Sequence, residues 1–124
     1  MKIENFEEIE AWKEARVLVK ELYSVFSDCR DFSFKDQIQR AGISIMANIA
    51  EGFERKTNKE FINFLSIARG SCAEVKSLLY TAIDIGYIEN ASFDSINGRL
   101  NKISGLLNGF ISYLRANLKR KKFD

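Results

Sequence analysis

Apolar residues recur at spacings of three and four along four separate stretches of this chain. The members of the first stretch are Trp12, Ala15, Val19, Leu22 and Phe26. An α-helix turns about 100° per residue, so this spacing places every member on one face. We expect this first helix to run from Glu7 to about Ser27.

The second stretch also combines an apolar stripe with a capping signal. Ser33, with Asp36 three residues later, is typical of a helix N-terminal cap. The stripe that follows contains Ile38, Ala41, Ile45 and Ile49. We expect this second helix to end around Gly52 to Glu54.

The third and fourth helices are delimited in the same way. Thr57 and Glu60 have the spacing of a capping box, and Gly86 supplies the stop of the third helix. Asn90 or Ser92 then caps the fourth helix. Its apolar stripe contains Phe93, Ile96, Leu100, Ile103, Leu107, Phe110 and Leu114. Four amphipathic helices with short links predict an all-α fold, an up-down-up-down antiparallel four-helix bundle, as a single domain over residues 1–124.

The composition of the chain argues against several classes of catalytic and metal-binding function. Histidine is absent, which removes the commonest general base and the Glu-x-x-His ligands of di-iron bundles. Cys29 and Cys72 lie far apart and outside any CxxC arrangement, so we interpret them as buried or idle thiols. We therefore expect no catalytic residue, metal or cofactor, and a protein that is not an enzyme. With no membrane-length apolar run and no signal-peptide pattern, we expect a cytoplasmic protein.

Positive charge is concentrated at the C-terminus. The chain carries a net charge of +2, whereas residues 115–124 hold five basic residues against one acidic residue. Together with a basic cluster at the second link, the tail provides candidate nucleic-acid contacts: Arg55, Lys56, Lys59, Arg115, Lys119, Arg120, Lys121 and Lys122. Such a tail can contact phosphates or an acidic partner, or it can be a solvated helix terminus.

In the middle of the chain, polar residues recur at the same helical spacing as the apolar stripe beside them. They are Arg40, Ser44, Asn48 and Glu51 on the second helix, with Ser71 and Glu74 on the third. We interpret these six residues as a structural polar network across the helical hairpin, in which Arg40 pairs with Glu51 or Glu74. A ligand or nucleic-acid site is the alternative interpretation.

The second and third helices carry more apolar surface than one core requires. The additional residues are Ile43, Ala47, Ala50, Ile67, Leu78 and Ile85. Helices that are apolar on more than one side are usually buried on more than one side. The pattern therefore predicts self-association through these two helices.

Several of these segments resemble a known family. They are Gln39-Arg40-Ala41, Ser44-Ile45, Asn48-Ile49-Ala50-Glu51-Gly52, Phe64-Leu65, Gly70-Ser71 and Gly86-Tyr87-Ile88. The chain resembles the four-helix bundle family named for proteins encoded by intervening sequences in bacterial 23S ribosomal RNA genes, also labelled S23 ribosomal protein. The resemblance implies a ring-like homopentamer with a role involving RNA. Met46 stands where family members often have proline, and we expect a straighter second helix as a result.

Two functions are consistent with these features. The first is an oligomer that associates with RNA or DNA through its basic residues. A related fold occurs in the basic, pentameric accessory protein of diversity-generating retroelements, which binds nucleic acid. The second is a protein-interaction scaffold with no nucleic-acid role, in which the pentamer binds another protein.

Overall fold

A computed structural model describes residues 2–118 of the 124-residue chain. A short 3-10 turn, Phe6–Glu8, precedes four α-helices: α1 (Glu10–Val25), α2 (Phe32–Phe53), α3 (Asn58–Asp84) and α4 (Asn90–Arg115). Each helix packs on the next along the chain, and α4 returns to pack against α1. The predicted all-α, up-down-up-down four-helix bundle is therefore confirmed.

The first helix is shorter than predicted. The chain forms the 3-10 turn, becomes extended at Ile9 (φ −73°, ψ 122°), and enters α1 only at Glu10. Asn5 and Glu8 cap the turn, because the Glu8 carboxylate accepts the Asn5 backbone N–H at 3.0 Å. Ile9 is 2% exposed, so this break directs an apolar side chain into the core.

The cap of α2 lies two residues earlier than predicted. Asp31, and not Ser33, is the N-cap, and its carboxylate accepts the Phe34 N–H at 3.1 Å. The Asp36 carboxylate instead binds Arg40 one turn along the helix. The end of α2 at Phe53 matches the prediction, and the helix is uninterrupted through Met46.

Both ends of α3 follow the sequence signals. The Thr57 hydroxyl oxygen accepts the Glu60 backbone N–H at 3.2 Å. At the other end Gly86 has φ +80°, a conformation that glycine adopts without a side-chain clash. There the Tyr87 N–H binds the Ala82 carbonyl at 2.8 Å and the Gly86 N–H binds the Ile83 carbonyl at 3.3 Å, which is a Schellman motif. For α4 the N-cap position is Glu89, not Asn90 or Ser92.

The core is formed by the apolar stripes of all four helices. Leu18, Ile45, Leu65 and Leu107 have no exposed surface. The backbones of α2 and α3 approach closely at Gly52, where an added Cβ would lie 2.7 Å from the Phe64 Cβ. Among the helices in the described part of the chain, none combines the length and apolarity that membrane crossing requires.

An ionic network that the sequence analysis missed closes the bundle between α1 and α4. Arg99 donates to Glu14 at 2.8 Å and to Glu21 at 3.4 Å, and Lys102 donates to Glu14 at 3.0 Å. The hydrogen bond from Lys102 is the largest cause that lowers the pKa of the Glu14 carboxyl, and Arg99 acts in the same direction. The acidic side of α1 is therefore neutralised inside the protomer.

Candidate nucleic-acid interface

The bundle topology brings the described basic candidates to one end. Because successive helices run in opposite directions, the link between α2 and α3 lies beside the C-terminus of α4. The Asn58 side-chain amide donates to the Asn117 carbonyl at 3.0 Å and joins the two. Arg55, Lys56 and Lys59 are all exposed at this end.

Arg115, the last residue of α4, is exposed at the same end of the bundle. The remaining tail candidates lie outside the described residues: Lys119, Arg120, Lys121 and Lys122.

Arg55 is held by contacts within the protomer. Its guanidinium donates to the Glu51 carboxylate at 3.2 Å and lies 4.6 Å from the centroid of the Phe64 ring. A bound phosphate would compete with Glu51 for this guanidinium. Lys56 and Lys59 form no ion pair within residues 2–118, so their ammonium groups are the more available cations at this end.

Acidic and apolar groups share the same end of the bundle. A pocket of about 460 Å³ opens there between the N-terminal segment and α4. It is lined by Lys2, Ile3, Glu8, Ile9, Glu10, Gly109, Phe110 and Tyr113. Glu54 also lies in the link beside Arg55. The described part of this end therefore has mixed charge.

Three of the six residues in the proposed polar network meet at the seam between α2 and α3. The Ser44 and Ser71 hydroxyl oxygens are 2.9 Å apart. The Asn48 side-chain amide donates to the Ser44 carbonyl at 2.8 Å and to its hydroxyl at 3.1 Å. The Ser44–Ser71 contact joins the two helices at a partly buried position, and Asn48 supports it from α2.

The predicted pairing of Arg40 with Glu51 or Glu74 is wrong within the protomer. Arg40 donates to Asp36 at 2.7 Å on the exposed surface of α2. Glu51 follows Arg40 by 11 residues, which is about 16 Å along a helix and beyond side-chain contact. Glu74 is also exposed. The Asp36 carboxylate, one helical turn away, therefore pairs with the Arg40 guanidinium in place of Glu51 or Glu74.

The residues of the predicted self-association surface remain accessible in the protomer. Ile43 is 41% exposed, and Ile67 and Ile85 are each 52% exposed. Ala47 is exposed as well, whereas Ala50 and Leu78 are half-buried. These six residues leave apolar area on the outer side of α2 and α3, beside the Ser44–Ser71 contact.

The two cysteines differ in environment. Burial raises the pKa of the Cys72 thiol to about 11, against a smaller opposing effect of a hydrogen bond with Ser104. Cys29 is half-buried, and its thiol lies 3.8 Å from the Asp31 carbonyl. Within residues 2–118, no three acidic or cysteine side chains gather where they could hold a metal ion.

A second basic surface on α1 also escaped the sequence analysis. Lys13, Arg16 and Lys20 lie on its solvent side at a spacing of three and four. This spacing is visible in the sequence, but acidic residues alternate with these cations along the chain. The helical geometry of α1 places its basic and acidic side chains on different sides, which their order along the chain does not show.

Comparison with known proteins places the chain in a family. A model of the 23S rRNA-intervening sequence protein family matches residues 7–109. A solved structure from Bacteroides thetaiotaomicron VPI-5482, described as a protein with unknown function from the S23 ribosomal protein family, is similar at a TM-score of 0.77. The two sequences are 28% identical, and the match covers 82% of this chain and 97% of that chain. A search of curated proteins finds no match. Because the family model spans most of the sequence, the chain belongs to the 23S rRNA-intervening sequence protein family.

Proposed function

We propose that this protein is a non-enzymatic homo-oligomer, a pentamer of four-helix bundles, that associates with RNA or DNA. The observation that carries the proposal is the gathering of basic residues at one end of the bundle. Lys56, Lys59 and Arg115 lie there, and four further basic residues follow Arg115 in the sequence. The family description refers to an intervening sequence in ribosomal RNA, which is where the genes lie, so the proposal of a nucleic-acid partner rests on these basic residues.

Self-association is supported by the exposed apolar residues on α2 and α3. Burying an isoleucine side chain stabilises a complex by about 1.5–3 kcal/mol relative to leaving it in water. Ile67 on α3 and Ile85 directly after its end are both half-exposed, and Ile43 adds to the surface on α2. A ring of identical subunits would also repeat the modest basic surface of each protomer. Linked binding sites raise the overall affinity for one nucleic acid without new contacts at any single site.

Molar mass in solution tests the self-association. At micromolar concentration we expect a mass that is a multiple of the 14.2 kDa chain. The Ile67→Glu variant should be monomeric, because burial of an unpaired carboxylate opposes association. Val17→Glu changes a similarly exposed β-branched apolar residue on α1 and should leave the mass unchanged. A wild-type protein with the molar mass of a single chain would overturn the proposed self-association.

Salt dependence tests the nucleic-acid association. Phosphate binding releases counterions, so affinity should fall steeply between about 50 and 200 mM salt, with a log–log slope of about −0.7 per contact on single strands and −0.9 on duplex DNA. Replacing Lys121 and Lys122 with serine should make that slope shallower. Failure to bind RNA or DNA at low salt, or an affinity that ignores salt, would overturn this part of the proposal.

A protein-interaction scaffold is the alternative function, and the pocket beside α4 favours it. Ile3, Ile9 and Phe110 give this pocket of about 460 Å³ an apolar wall of the kind that accepts a partner's side chain. Purification of the tagged protein from native cells, with and without nuclease, separates the two functions. A protein partner that is retained after nuclease treatment supports the scaffold, and loss of all partners supports nucleic acid.

A further inference from the structure

The two signs of charge are segregated around α1. At 100° per residue, Lys13, Arg16 and Lys20 fall within about 60° of one another. Glu14 and Glu21 fall together about 120° away, on the side that packs toward α4. An exposed helix face often alternates the two signs of charge, whereas the basic residues of α1 predominate on one side.

Only the acidic side is compensated within the protomer. Arg99 and Lys102 of α4 neutralise Glu14 and Glu21. On the basic side, Arg16 and Lys20 form no ion pair with any acidic group in residues 2–118.

Lys13 is only weakly compensated. Its ammonium reaches Glu10 at 3.8 Å, and both side chains are more than half exposed. Such exposed pairs contribute little. The positive potential of this side is therefore available to a partner.

Aromatic side chains interleave with these cations. A groove of about 450 Å³ is lined by Glu7, Trp12, Lys13, Arg16, Val17 and Lys20. The Arg16 guanidinium lies 5.8 Å from the centroid of the Trp12 ring, and Phe6 contacts the same ring edge-on at 5.2 Å. Tyr23 follows Lys20 by about one turn and is 45% exposed. From Trp12 to Tyr23 the face extends about 16 Å.

We propose that this outer face of α1 binds single-stranded RNA. Lys13, Arg16 and Lys20 would contact consecutive backbone phosphates, while unpaired bases stack on Trp12 and Tyr23. Tyr23 is exposed and Trp12 is half-buried. Accessible aromatic rings among basic groups recognise single strands, because the bases of a duplex are already stacked on each other. This inference rests on the proposed nucleic-acid association and gives it a site distinct from the basic end.

One feature of this surface favours RNA, and a second keeps the surface accessible. The Glu7 carboxylate lines the groove, where it would repel a phosphate but can accept a hydrogen bond from a ribose 2′-hydroxyl. The position of α1 also keeps the face accessible, because α1 lies diagonally opposite α3 in the bundle. An oligomer that forms through Ile67 and its neighbours would leave the α1 face open to solvent.

The test uses the full-length protein and a labelled oligouridine RNA long enough to span the face of about 16 Å between Trp12 and Tyr23. Replacing Arg16 and Lys20 with serine should weaken binding at least tenfold and make the salt slope shallower by about 1.4, since each lost contact removes about 0.7. Replacing Arg69 and Lys76 of α3 with serine is the matched control of equal charge change, because α3 lies diagonally opposite α1 and both side chains form exposed hydrogen bonds with α4. We expect that control to alter affinity less than about threefold, and both variants to keep the wild-type helical circular dichroism.

Trp12 provides a readout that depends on location, because it is the only tryptophan in the chain. RNA bound to α1 should quench its fluorescence over the same concentration range in which anisotropy reports binding. Tyr23→Ala should weaken RNA binding about tenfold, since stacking on an aromatic ring contributes substantially for each base. Binding without a change in Trp12 emission would overturn the assignment to α1.

The outcomes separate this inference from the proposed function. If the wild-type protein binds no RNA or DNA at low salt, both fail. If it binds and the α1 variant binds equally well, or both double variants weaken equally, the α1 site fails and the nucleic-acid association stands. Equal affinity for duplex RNA, single-stranded DNA or polyglutamate would overturn the specificity for single-stranded RNA.

Discussion

The hydroxyl oxygens of Ser44 and Ser71 lie 2.9 Å apart across the seam between α2 and α3. The Asn48 amide donates to the Ser44 hydroxyl, so three side chains form one hydrogen-bonded chain. Ser71 is only 8% exposed. Sliding α3 by one turn would place a different residue opposite Ser44, and this contact therefore helps to fix the register of the hairpin.

Removing either hydroxyl should destabilise the fold measurably. We expect Ser71→Ala to lower the free energy of unfolding by about 1 kcal/mol, because it removes a partly buried hydrogen bond. The double variant with Ser44→Ala should cost less than the sum of the single variants, since the two residues share that bond. Urea unfolding measures this, with the exposed Ser112→Ala as control. Strict additivity would contradict the contact.

Two glycines should respond to alanine in opposite directions. At Gly52 the added Cβ would lie 2.7 Å from the Phe64 Cβ and 2.8 Å from the Phe61 ring, so α2 and α3 must separate. We expect Gly52→Ala to destabilise the protein by about 1–2 kcal/mol. Gly98, inside α4, has open space around it. Gly98→Ala should therefore stabilise the protein by about 0.5–1 kcal/mol, because alanine has a higher helix propensity than glycine. Thermal unfolding of both variants checks this pair, and equal effects would contradict the close approach at Gly52.

Glu14 should make stability depend on acid pH. Hydrogen bonds from Lys102 and Arg99 lower its pKa in the folded state below the ordinary value of 4.5. The unfolded chain therefore binds the proton more readily. The contribution of ionised Glu14 to the free energy of unfolding is complete above about pH 4.5. It is lost as the pH falls through the lowered pKa of Glu14 in the folded state.

The Glu14→Gln variant tests this linkage. It should be about 1 kcal/mol less stable at neutral pH, because charge-assisted hydrogen bonds are lost. The difference from wild type should shrink below pH 4.5, as measured by urea unfolding across the pH range. Glu4→Gln, at an exposed position, serves as the control. A difference that stays constant down to strongly acidic pH would contradict the account.

The two thiols should differ in reactivity. With a pKa of about 11, Cys72 is thiolate in about one molecule in a thousand at pH 8, and it is also buried. We expect iodoacetamide to modify Cys29 in the native protein and Cys72 only after unfolding in guanidinium. Mass spectrometry of wild type and Cys29→Ser measures this. Native labelling of Cys72 at the rate of Cys29 would contradict its burial.

Much of the fold follows from local sequence physics. The stripe that includes Leu107 and the stop at Gly86 depend on spacing and backbone conformation within a few residues, and both are confirmed. The break at Ile9 was missed, because apolar periodicity continues on both sides of it. Asp31, and not Ser33, is the cap of α2, because both residue types are favoured at an N-cap and the spacing alone does not show at which of them the helix begins.

The candidate site was harder to predict, because it depends on which charged groups meet in three dimensions. The sequence indicated the basic residues Lys56 and Arg115, and the antiparallel topology then brought them to one end. Arg40 had several carboxylates available, and only the structure selects Asp36. The basic side of α1, with Lys20, became evident only once Glu14 was seen to pair with α4.

The mass of the protein–RNA complex tests the central claim most directly. Light scattering of the wild-type protein, separated by size at low salt with and without single-stranded RNA, reports assembly and binding together. For a pentamer we expect five chains of 14.2 kDa, hence 5 × 14.2 = 71 kDa, and a peak heavier by the mass of the bound RNA when RNA is present. A 14.2 kDa protein peak that elutes apart from the RNA would contradict the account.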